Sequence, residues 1–302
     1  MKPVKACYRI KFFMKRKLGI EVSNFLFECL ITWYYRVFKN KKKGIKQENK
    51  RNRKLIVSIT SIPLRTDKLW ITMESLLRQT YKPDKIILWL AKDEFQNVKL
   101  PERLREQQKR GIEIRYCANL RSYKKFYYTA KAYPDDYIVT VDDDIIFAED
   151  MLEILVKTYR ENPGGIVCQR SHYIKKYGGR LRPYTKWLGY EDRTDIDSTY
   201  SFQNFFTSGA GTLFPMFRLK KVVLQQEIFM KLAPYADDVW LNFCAWKAGI
   251  KTMNVKGSLG NIITIGSSSR NGLFKINAIH QKNDEQIERV LEYLRIDVNQ
   301  FL

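Results

Sequence analysis

The sequence has few cysteines, histidines, glycines and prolines for its 302 residues. The five cysteines are odd in number, widely scattered and without a CxxC pair, which excludes a disulfide scaffold and is typical of reduced thiols in a cytosolic protein. Fifteen glycines and nine prolines exclude a collagen-like chain, and 45% hydrophobic residues exclude a disordered tail. The length suits one large domain, because a single α/β domain of about 250 residues is within the usual range.

Acidic residues are scarce above all at the N terminus. Residues 1–54 contain 17 Lys and Arg but only 3 Asp and Glu, so this segment carries +14 of the chain's net charge of +22. A basic segment attracts phosphate groups, which nucleic acids and anionic lipids both present. Charge alone leaves the choice between these two partners open.

Long uncharged apolar runs are also absent. Residues 20–38 predict an amphipathic helix with a narrow polar strip that includes Glu28, but no run approaches the roughly 20 apolar residues that a bilayer requires. We expect this helix either to lie in a membrane interface or to dock on the protein's own body, and its basic flanks favour the interface. Its apolar stripe consists of Val22, Phe25, Leu26, Cys29, Leu30, Trp33 and Val37.

After this helix, short β-branched runs alternate with helical patterns. Residues 39–54 are almost entirely polar and predict a linker, so we expect a basic amphipathic arm with its linker over 1–53 and a folded domain over 54–302. The alternation indicates an α/β domain with a mostly parallel sheet flanked by helices. Predicted strands cover 55–60, 85–90, 112–117, 137–141 and 165–170, and predicted helices cover 66–78, 122–131, 149–160, 237–248 and 283–294.

Three acidic residues in a row, Asp142, Asp143 and Asp144, end the fourth predicted strand. The carboxyl edge of a parallel sheet is where α/β folds bind ligands. Adjacent carboxylates repel one another, and a divalent cation with a preference for oxygen ligands, such as Mg²⁺ or Mn²⁺, would offset the repulsion. A solvated acidic turn that caps the next helix is the alternative.

Four segments give the chain a family resemblance. SITSIPLRTDKLWITMESLLRQTYKPDKIILWL, VTVDDDI, GAGTLF and ADDVWLNFCAWKAGIK occur in this order. They resemble segments of bacterial nucleotide-sugar glycosyltransferases with the Rossmann-like GT-A fold, of the family-2-like type that contains a DXD motif. The resemblance covers about residues 54–302 and not the arm. It implies transfer of a sugar from a nucleoside diphosphate donor to an acceptor, with Mn²⁺ or Mg²⁺ bridging the diphosphate.

The resemblance also implies roles for residues on the donor side. Asp142 would face the ribose and the metal, and Asp144 would bind the metal. Ser61 and Arg65 would cradle the nucleotide base and ribose, although a helix-entry turn with a surface arginine explains them equally well. Lys124 would lie near the diphosphate, with Lys125 as its rival.

On the acceptor side, the resemblance indicates an acidic pair at a helix start. Asp238 aligns with the general base of inverting members, and Asp237 takes the more variable position beside it. The competing interpretation is an N-cap, for which one Asp suffices. GAGTLF would lie near the donor sugar and the acceptor. His280 would be a metal ligand, as a C-terminal histidine is in some GT-A enzymes, or else a histidine hydrogen-bonded at the end of an element.

These features together predict a metal-dependent glycosyltransferase that acts on a glycan or lipid-linked acceptor in surface polysaccharide assembly. We expect it in the cytoplasm, peripherally at the inner face of the membrane, with no nucleic-acid partner, because no RNA- or DNA-binding signature occurs. Two rivals remain: a non-enzymatic basic protein that binds membranes or nucleic acid, and a metal-dependent phosphodiesterase. The second usually recruits several histidines, and this chain has two.

Overall fold

The computed structural model describes residues 2–47, 51–189, 198–255, 262–266 and 282–302. The predicted ligand His280 lies outside these ranges. The helices are α1 (Pro3–Leu18), α2 (Asn24–Val37), α3 (Thr66–Leu77), α4 (Lys92–Phe95), α5 (Glu102–Lys109), α6 (Lys124–Ala132), α7 (Met151–Glu161), α8 (Met216–Val223), α9 (Gln226–Leu232), α10 (Asp237–Lys247) and α11 (Lys282–Leu294). The strands are β1 (Leu55–Thr60), β2 (Lys85–Ala91), β3 (Ile112–Cys117), β4 (Tyr137–Val141), β5 (Ile166–Cys168), β6 (Ser171–Tyr173), β7 (Lys176–Tyr177), β8 (Arg180–Leu181), β9 (Asn204–Phe206), β10 (Ala210–Pro215) and β11 (Thr252–Asn254).

Within the described residues, seven strands form the central sheet, in the order β11-β5-β10-β4-β1-β2-β3. All neighbours are parallel except β10, which runs antiparallel to both β4 and β5. The prediction of a mostly parallel α/β sheet is confirmed. Because β1 and β4 are adjacent and parallel, with Ile59 opposite Val141, the chain leaves both strands at the same edge.

Helices cover both faces of the sheet, as a parallel sheet requires. Along β4, Ile138 belongs to the apolar cluster built with α6, α8, α9, α10 and α11, whereas Val139 and Val141 belong to the cluster built with α3, α5 and α7. All three side chains are fully buried. This alternation places the strand's end, and the acidic turn after it, between two packed layers.

The two N-terminal helices pack on the body with one face. The Tyr8 hydroxyl donates to the Ile146 carbonyl at 2.8 Å, and the Glu28 carboxylate accepts from Lys68 at 2.7 Å and from the Gly266 backbone N–H at 2.6 Å. Phe27 and Ile31 of α2 are buried in the same interface. Glu28, which the sequence placed on a polar strip, is therefore a buried ion-pair partner. No described helix is long and apolar enough to cross a membrane.

The segment predicted to be a linker lies along the body. The Gly44 backbone N–H donates to the Arg110 carbonyl at 2.8 Å, and the Lys46 N–H donates to the Pro83 carbonyl at 2.8 Å. Arg51 forms an ion pair with Asp84 at 2.7 Å. Its polar composition therefore reflects hydrogen bonding to the surface of the body, and the division into an arm with its linker over 1–53 and a domain over 54–302 stays a prediction.

Most predicted elements match. Helix α3 begins at Thr66, the first residue of the predicted helix, and the Thr66 hydroxyl donates to the Pro63 carbonyl at 2.8 Å in the 3-10 turn before it. The helices α1, α4, α5, α8 and α9 were not predicted, and neither were the strands β6 to β9 and β11. The last four of these helices are at most eight residues long, so they contain too few turns for a periodic apolar pattern.

Candidate active site

The carboxyl edge of β1 and β4 brings together most of the residues singled out from the sequence. Asp142, Asp143 and Asp144 follow β4, Ser61 follows β1, and Asp237 and Asp238 begin α10. Helix α6 runs behind them with Lys125 in its first turn. Two acidic elements that are far apart in sequence therefore meet around one lysine.

Lys125 joins the two acidic elements. Its ammonium lies 2.6 Å from Oδ1 of Asp142 and 3.4 Å from Oδ2 of Asp237, and its side chain is almost fully buried. Burial alone would lower the pKa of Lys125, but the surrounding carboxylates of Asp142, Asp237 and Asp238 raise it, so the amine stays charged. Burial likewise disfavours ionised Asp142, yet Lys125 outweighs it and lowers the pKa of that carboxyl. Asp142 is therefore held ionised.

Asp143, the middle residue of the acidic turn, anchors it. Its carboxylate accepts from the Ser61 hydroxyl at 2.5 Å and from the Arg65 guanidinium at 2.6 Å, while its carbonyl accepts from the Thr72 hydroxyl at 2.9 Å. Burial raises the pKa of Asp143, and the bonds from Arg65 and Ser61 offset part of that rise. Asp143 thereby fixes Ser61 and Arg65 against the turn, and their roles toward the nucleotide stay predictions.

Asp144 has the chemistry of a cation ligand. Burial and the negative charge of Asp142 raise its pKa to about 6, and Arg65, 3.2 Å away, offsets only part of the rise. A divalent cation would relieve this repulsion. In the part of the chain that the structure describes, no three His, Cys, Asp or Glu residues cluster as a complete metal site. Asp142 and Asp144 fit Mg²⁺ or Mn²⁺, which one or two carboxylates commonly hold together with substrate phosphates.

The acidic pair at the start of α10 contacts Ser208 instead of capping its own helix. Ala236 occupies the N-cap position. The Ser208 backbone N–H donates to Oδ1 of Asp238 at 2.8 Å, and the Ser208 hydroxyl donates to Oδ2 of Asp237 at 3.1 Å. The pair therefore ties α10 to the turn before β10, which does not support the N-cap interpretation.

The two carboxylates of this pair differ in their surroundings. Asp237 is buried and lies beside Lys125, whereas Asp238 is only partly buried. Burial, and then the negative charge of Asp237, raise the pKa of Asp238 to about 6, while Lys125 and Ser208 oppose the rise. A carboxylate with a pKa near neutrality is suited to general-base catalysis, since it accepts a proton readily and is ionised at neutral pH.

Gly209 explains why a glycine-rich turn is needed here. Its backbone carbonyl accepts from the Asp142 N–H at 2.8 Å, and a Cβ at this position would overlap the Asp142 carboxylate. Close approach of a backbone to a functional group is one of the uses of glycine. The turn therefore contributes by leaving space for Asp142.

Gly209→Ala is expected to push the Asp142 carboxylate away from Lys125 and to weaken binding of a metal–nucleoside diphosphate by about tenfold or more, because a hydrogen bond to a charged group contributes roughly 1.5–3 kcal/mol. Calorimetric titration measures this loss. Gly44→Ala is the matched control, since its Cβ would meet Leu77 in the core far from the acidic turn. The control should lower stability by about 1–3 kcal/mol and leave nucleotide affinity unchanged. Equal effects of both variants on affinity would contradict the role of Gly209.

Two sequence-predicted residues are not in the cluster. Lys124 is buried, and its ammonium lies 3.0 Å from the Glu94 carboxylate, so its place at the diphosphate stays a prediction. His280 lies outside the described residues. Two other contributions were missed: Lys125, noted only as the rival of Lys124, makes the central contacts, and no sequence signal marked Ser208.

The sequence around this site matches a known family. A model of glycosyl transferase family 2 matches residues 65–222, slightly more than half of the chain. The chain belongs to this family, and its sheet of seven strands flanked by helices is the GT-A fold expected from the sequence. The match includes Asp142–Asp144 and ends before Asp237, so the role of the second acidic pair depends on geometry. Membership favours a glycosyltransferase over both rival interpretations.

Solved structures similar to the chain are distant. Mannosyltransferase PcManGT from Pyrobaculum calidifontis, in complex with GDP-Man and Mn²⁺, is 12% identical with a TM-score of 0.49, and the similarity covers 97% of this chain and 76% of that one. TarS 1-349 from S. aureus, in complex with UDP, is 14% identical with a TM-score of 0.45, covering 68% and 58% of the two chains. A longer TarS chain is 13% identical with a TM-score of 0.46, covering 68% and 35%. No curated protein sequence matches the chain.

Proposed function

We propose that this glycosyltransferase depends on a divalent metal and moves a sugar from a nucleoside diphosphate to a hydroxyl of a glycan or glycolipid during surface polysaccharide assembly. One observation carries the proposal. Two acidic elements meet at Lys125, and within them the two carboxyls whose pKa is raised to about 6, Asp144 and Asp238, belong to different elements. Asp144 is suited to binding a cation, and Asp238 is suited to accepting a proton.

On the donor side, Asp142 and Asp144 would hold Mg²⁺ or Mn²⁺. When bound, such an ion neutralises charge on the diphosphate and makes it a better leaving group. Arg65 contacts the turn at Asp143 and Asp144, so its positive charge lies where phosphate oxygens would approach. Ser61 and Lys124 are proposed to complete the nucleotide site from its margins.

On the acceptor side, Asp238 would take the proton of the acceptor hydroxyl. The hydroxyl oxygen then forms a bond to the anomeric carbon, the bond from that carbon to the diphosphate oxygen breaks, and the electron pair leaves with the nucleoside diphosphate. Attack from the face opposite the leaving group inverts the anomeric centre. Ser208 holds Asp238 in place through its backbone N–H, so the carboxylate oxygen that is not bonded to it can accept the proton.

The proposal also includes a location. A lipid-linked acceptor resides at a membrane, so we place the enzyme in the cytoplasm, peripherally at the inner face of the membrane. The N-terminal helices supply the basic charge that an anionic surface attracts.

A thermal-shift screen of nucleoside diphosphate sugars, with and without Mn²⁺, tests the proposal. A ligand that binds only the folded state raises the free energy of unfolding by roughly 2.7 kcal/mol when its concentration is about a hundred times its Kd. We expect one donor class to raise the Tm in the presence of Mn²⁺ and to have little effect with EDTA. Absence of any shift across all common nucleotide sugars, or equal shifts with EDTA, would contradict metal-dependent donor binding.

The pH dependence of catalysis provides a separate test of Asp238. Its raised pKa means that the basic form predominates only above about pH 6, so kcat/KM should fall as the pH drops through that value. Asp237→Asn removes the charge that helps to raise this pKa, so the acidic limb should move to lower pH. Asp144 also has a pKa of about 6, but Asp237 is not among its causes. If the acidic limb of the kcat/KM profile stays at the same pH in Asp237→Asn, the group that titrates there is not Asp238.

A further inference from the structure

The N-terminal helices expose many large apolar side chains to solvent. Of the fifteen large apolar side chains that are exposed in the described part of the chain, ten lie between residues 10 and 38. Each of these ten is 49–67% exposed, whereas Phe27, Ile31 and Tyr35 on the opposite face of α2 are at most 4% exposed. The outer face, as we name it, consists of Ile10, Phe13, Leu18, Ile20, Phe25, Leu26, Leu30, Trp33, Val37 and Phe38.

Exposed basic residues lie next to the members of this outer face along the chain. Exposed lysines and arginines occur beside it in α1, in the turn after α1, at the end of α2 and in the segment that follows: Arg9, Arg16, Lys17, Arg36, Lys39, Lys41, Lys42 and Lys43. Of the two acidic residues between 2 and 47, Glu28 is turned inward to Lys68, and Glu21 alone is exposed. The outer face is thus apolar at its centre and positive at its margin.

The apolar centre and the positive margin together favour one of three possible partners: a second copy of the chain, a nucleic acid or a bilayer. Soluble monomers rarely expose apolar patches this extensive, so the face is expected to be covered. A second copy would bring two positive margins together across a symmetric interface, and like charges there oppose association. A nucleic acid would neutralise the margin but leave the apolar centre in water. A bilayer with anionic headgroups meets both requirements.

We infer that the outer face docks on the surface of an anionic bilayer, with its apolar side chains in the interface and its basic margin among the headgroups. The binding itself is independent of catalysis. The inference rests on the proposed function only where it identifies the acceptor as lipid-linked.

The inner face of the same helices links the docking surface to the acidic turn. The Tyr8 hydroxyl bonds to the Ile146 carbonyl, two residues beyond Asp144, and the Glu28 carboxylate holds the Gly266 N–H. The neighbouring Ile265 N–H donates to the Asp144 carbonyl at 2.8 Å. These contacts join both N-terminal helices to the backbone beside the acidic turn, and an α-helix with its side chains is about 10–12 Å across. A docked bilayer would therefore bring lipid-linked hydroxyls close to the site.

Sedimentation with vesicles tests the docking surface, using the full chain. We expect it to pellet with phosphatidylcholine vesicles that contain phosphatidylglycerol, and far less with phosphatidylcholine alone. High salt should weaken the binding only in part, because salt screens the charges and leaves apolar burial intact. Phe25→Glu with Trp33→Glu should lower the affinity by tenfold or more and remove the fraction that resists salt. Arg9→Gln with Lys17→Gln should instead lower the preference for the anionic lipid.

The matched control is Tyr116→Glu with Tyr177→Glu, which adds the same charge at two exposed aromatic positions outside the helices. It should bind vesicles as the parent chain does. Circular dichroism shows whether each variant is folded, and the Mn²⁺-dependent shift with the donor reports donor binding separately. A parent chain that stays in the supernatant overturns the inference, as does equal loss in the control. A parent dimer that the Phe25→Glu and Trp33→Glu changes convert to a monomer, with no vesicle binding, assigns the face to a second copy. Vesicle binding without any donor shift would refute the proposed function alone.

Discussion

Asp238→Asn is expected to lower kcat by about 10²–10⁴-fold, the usual contribution of a general base. Asparagine keeps the size of the side chain and the oxygen that accepts from the Ser208 N–H at 2.8 Å, so the turn before β10 should keep its position. What disappears is a carboxylate whose pKa is raised to about 6 by burial and by Asp237. Affinity for the donor should stay close to that of the parent chain, since Asp238 makes no contact with the acidic turn at 142–144 among the described hydrogen bonds.

Steady-state transfer rates and donor titrations, measured on the same preparations, separate the two effects. Asp237→Asn is the informative comparison because Asp237 is the more buried carboxylate and lies 3.4 Å from Lys125. We expect it to retain more activity than Asp238→Asn. If Asp237→Asn lowers the activity more than Asp238→Asn does, the general base is Asp237 and not Asp238. If Asp238→Asn lowers only the Tm, the pair is structural.

Asp144→Asn should abolish metal-dependent donor binding, with a loss of about 100-fold or more, since even partners outside the first coordination shell cost 10–100-fold in metal affinity. The Asp144→Asn variant should fold as the parent chain does. The raised pKa of Asp144 means that its ionised form opposes folding above about pH 4, so removing the charge should leave the Tm without ligand unchanged or higher. Reduced binding together with undiminished stability is the signature of a lost ligand.

Titration of a nucleoside diphosphate with Mn²⁺ into both proteins measures this effect. Asp135→Asn serves as the control because Asp135 is exposed and pairs only with Lys220 at 2.5 Å among the described ion pairs, away from the acidic turn. It should bind as the parent chain does. Equal, metal-dependent affinities of Asp144→Asn and the parent chain would remove Asp144 from the metal site.

The sheet and the acidic turn could be predicted from sequence because their signals are local. β4 is a five-residue apolar run that ends in three aspartates, and a strand of this kind leaves few alternatives for where the carboxylates lie. The start of α10 at Asp237 was equally readable, since an acidic pair precedes a long apolar pattern that ends at Gly249. Both signals are contained in about ten consecutive residues.

The contacts that make the site are long-range, and the sequence could not supply them. Lys125 and Asp142 are 17 residues apart, and Ser208 and Asp238 are 30 residues apart, so only the packed fold shows that they meet. Lys124 and Lys125 are neighbours with identical chemistry. Neighbouring side chains on a helix point about 100° apart around its axis. Which of the two lysines faces the acidic residues therefore depends on how α6 is rotated against the sheet.

The N-terminal helix had two interpretations, and the structure shows that it packs on the body. The same helix nevertheless exposes the apolar stripe that was read from the sequence, because a helix that is apolar on most sides presents one face to the core and another outward. Helical periodicity reports that a face is apolar and does not report what covers it. Sedimentation with vesicles tests whether a membrane covers the outer face.

Release of nucleoside diphosphate from the donor selected by thermal shift tests the central claim most directly. It is measured with Mn²⁺ and with EDTA, for the parent chain, Asp144→Asn and Asp238→Asn. We predict release by the parent chain with Mn²⁺ only, none above background for Asp144→Asn, and slow release for Asp238→Asn despite normal donor binding. Equal release by all three proteins, or release that EDTA leaves unchanged, would contradict a metal-dependent transferase built on these two acidic elements.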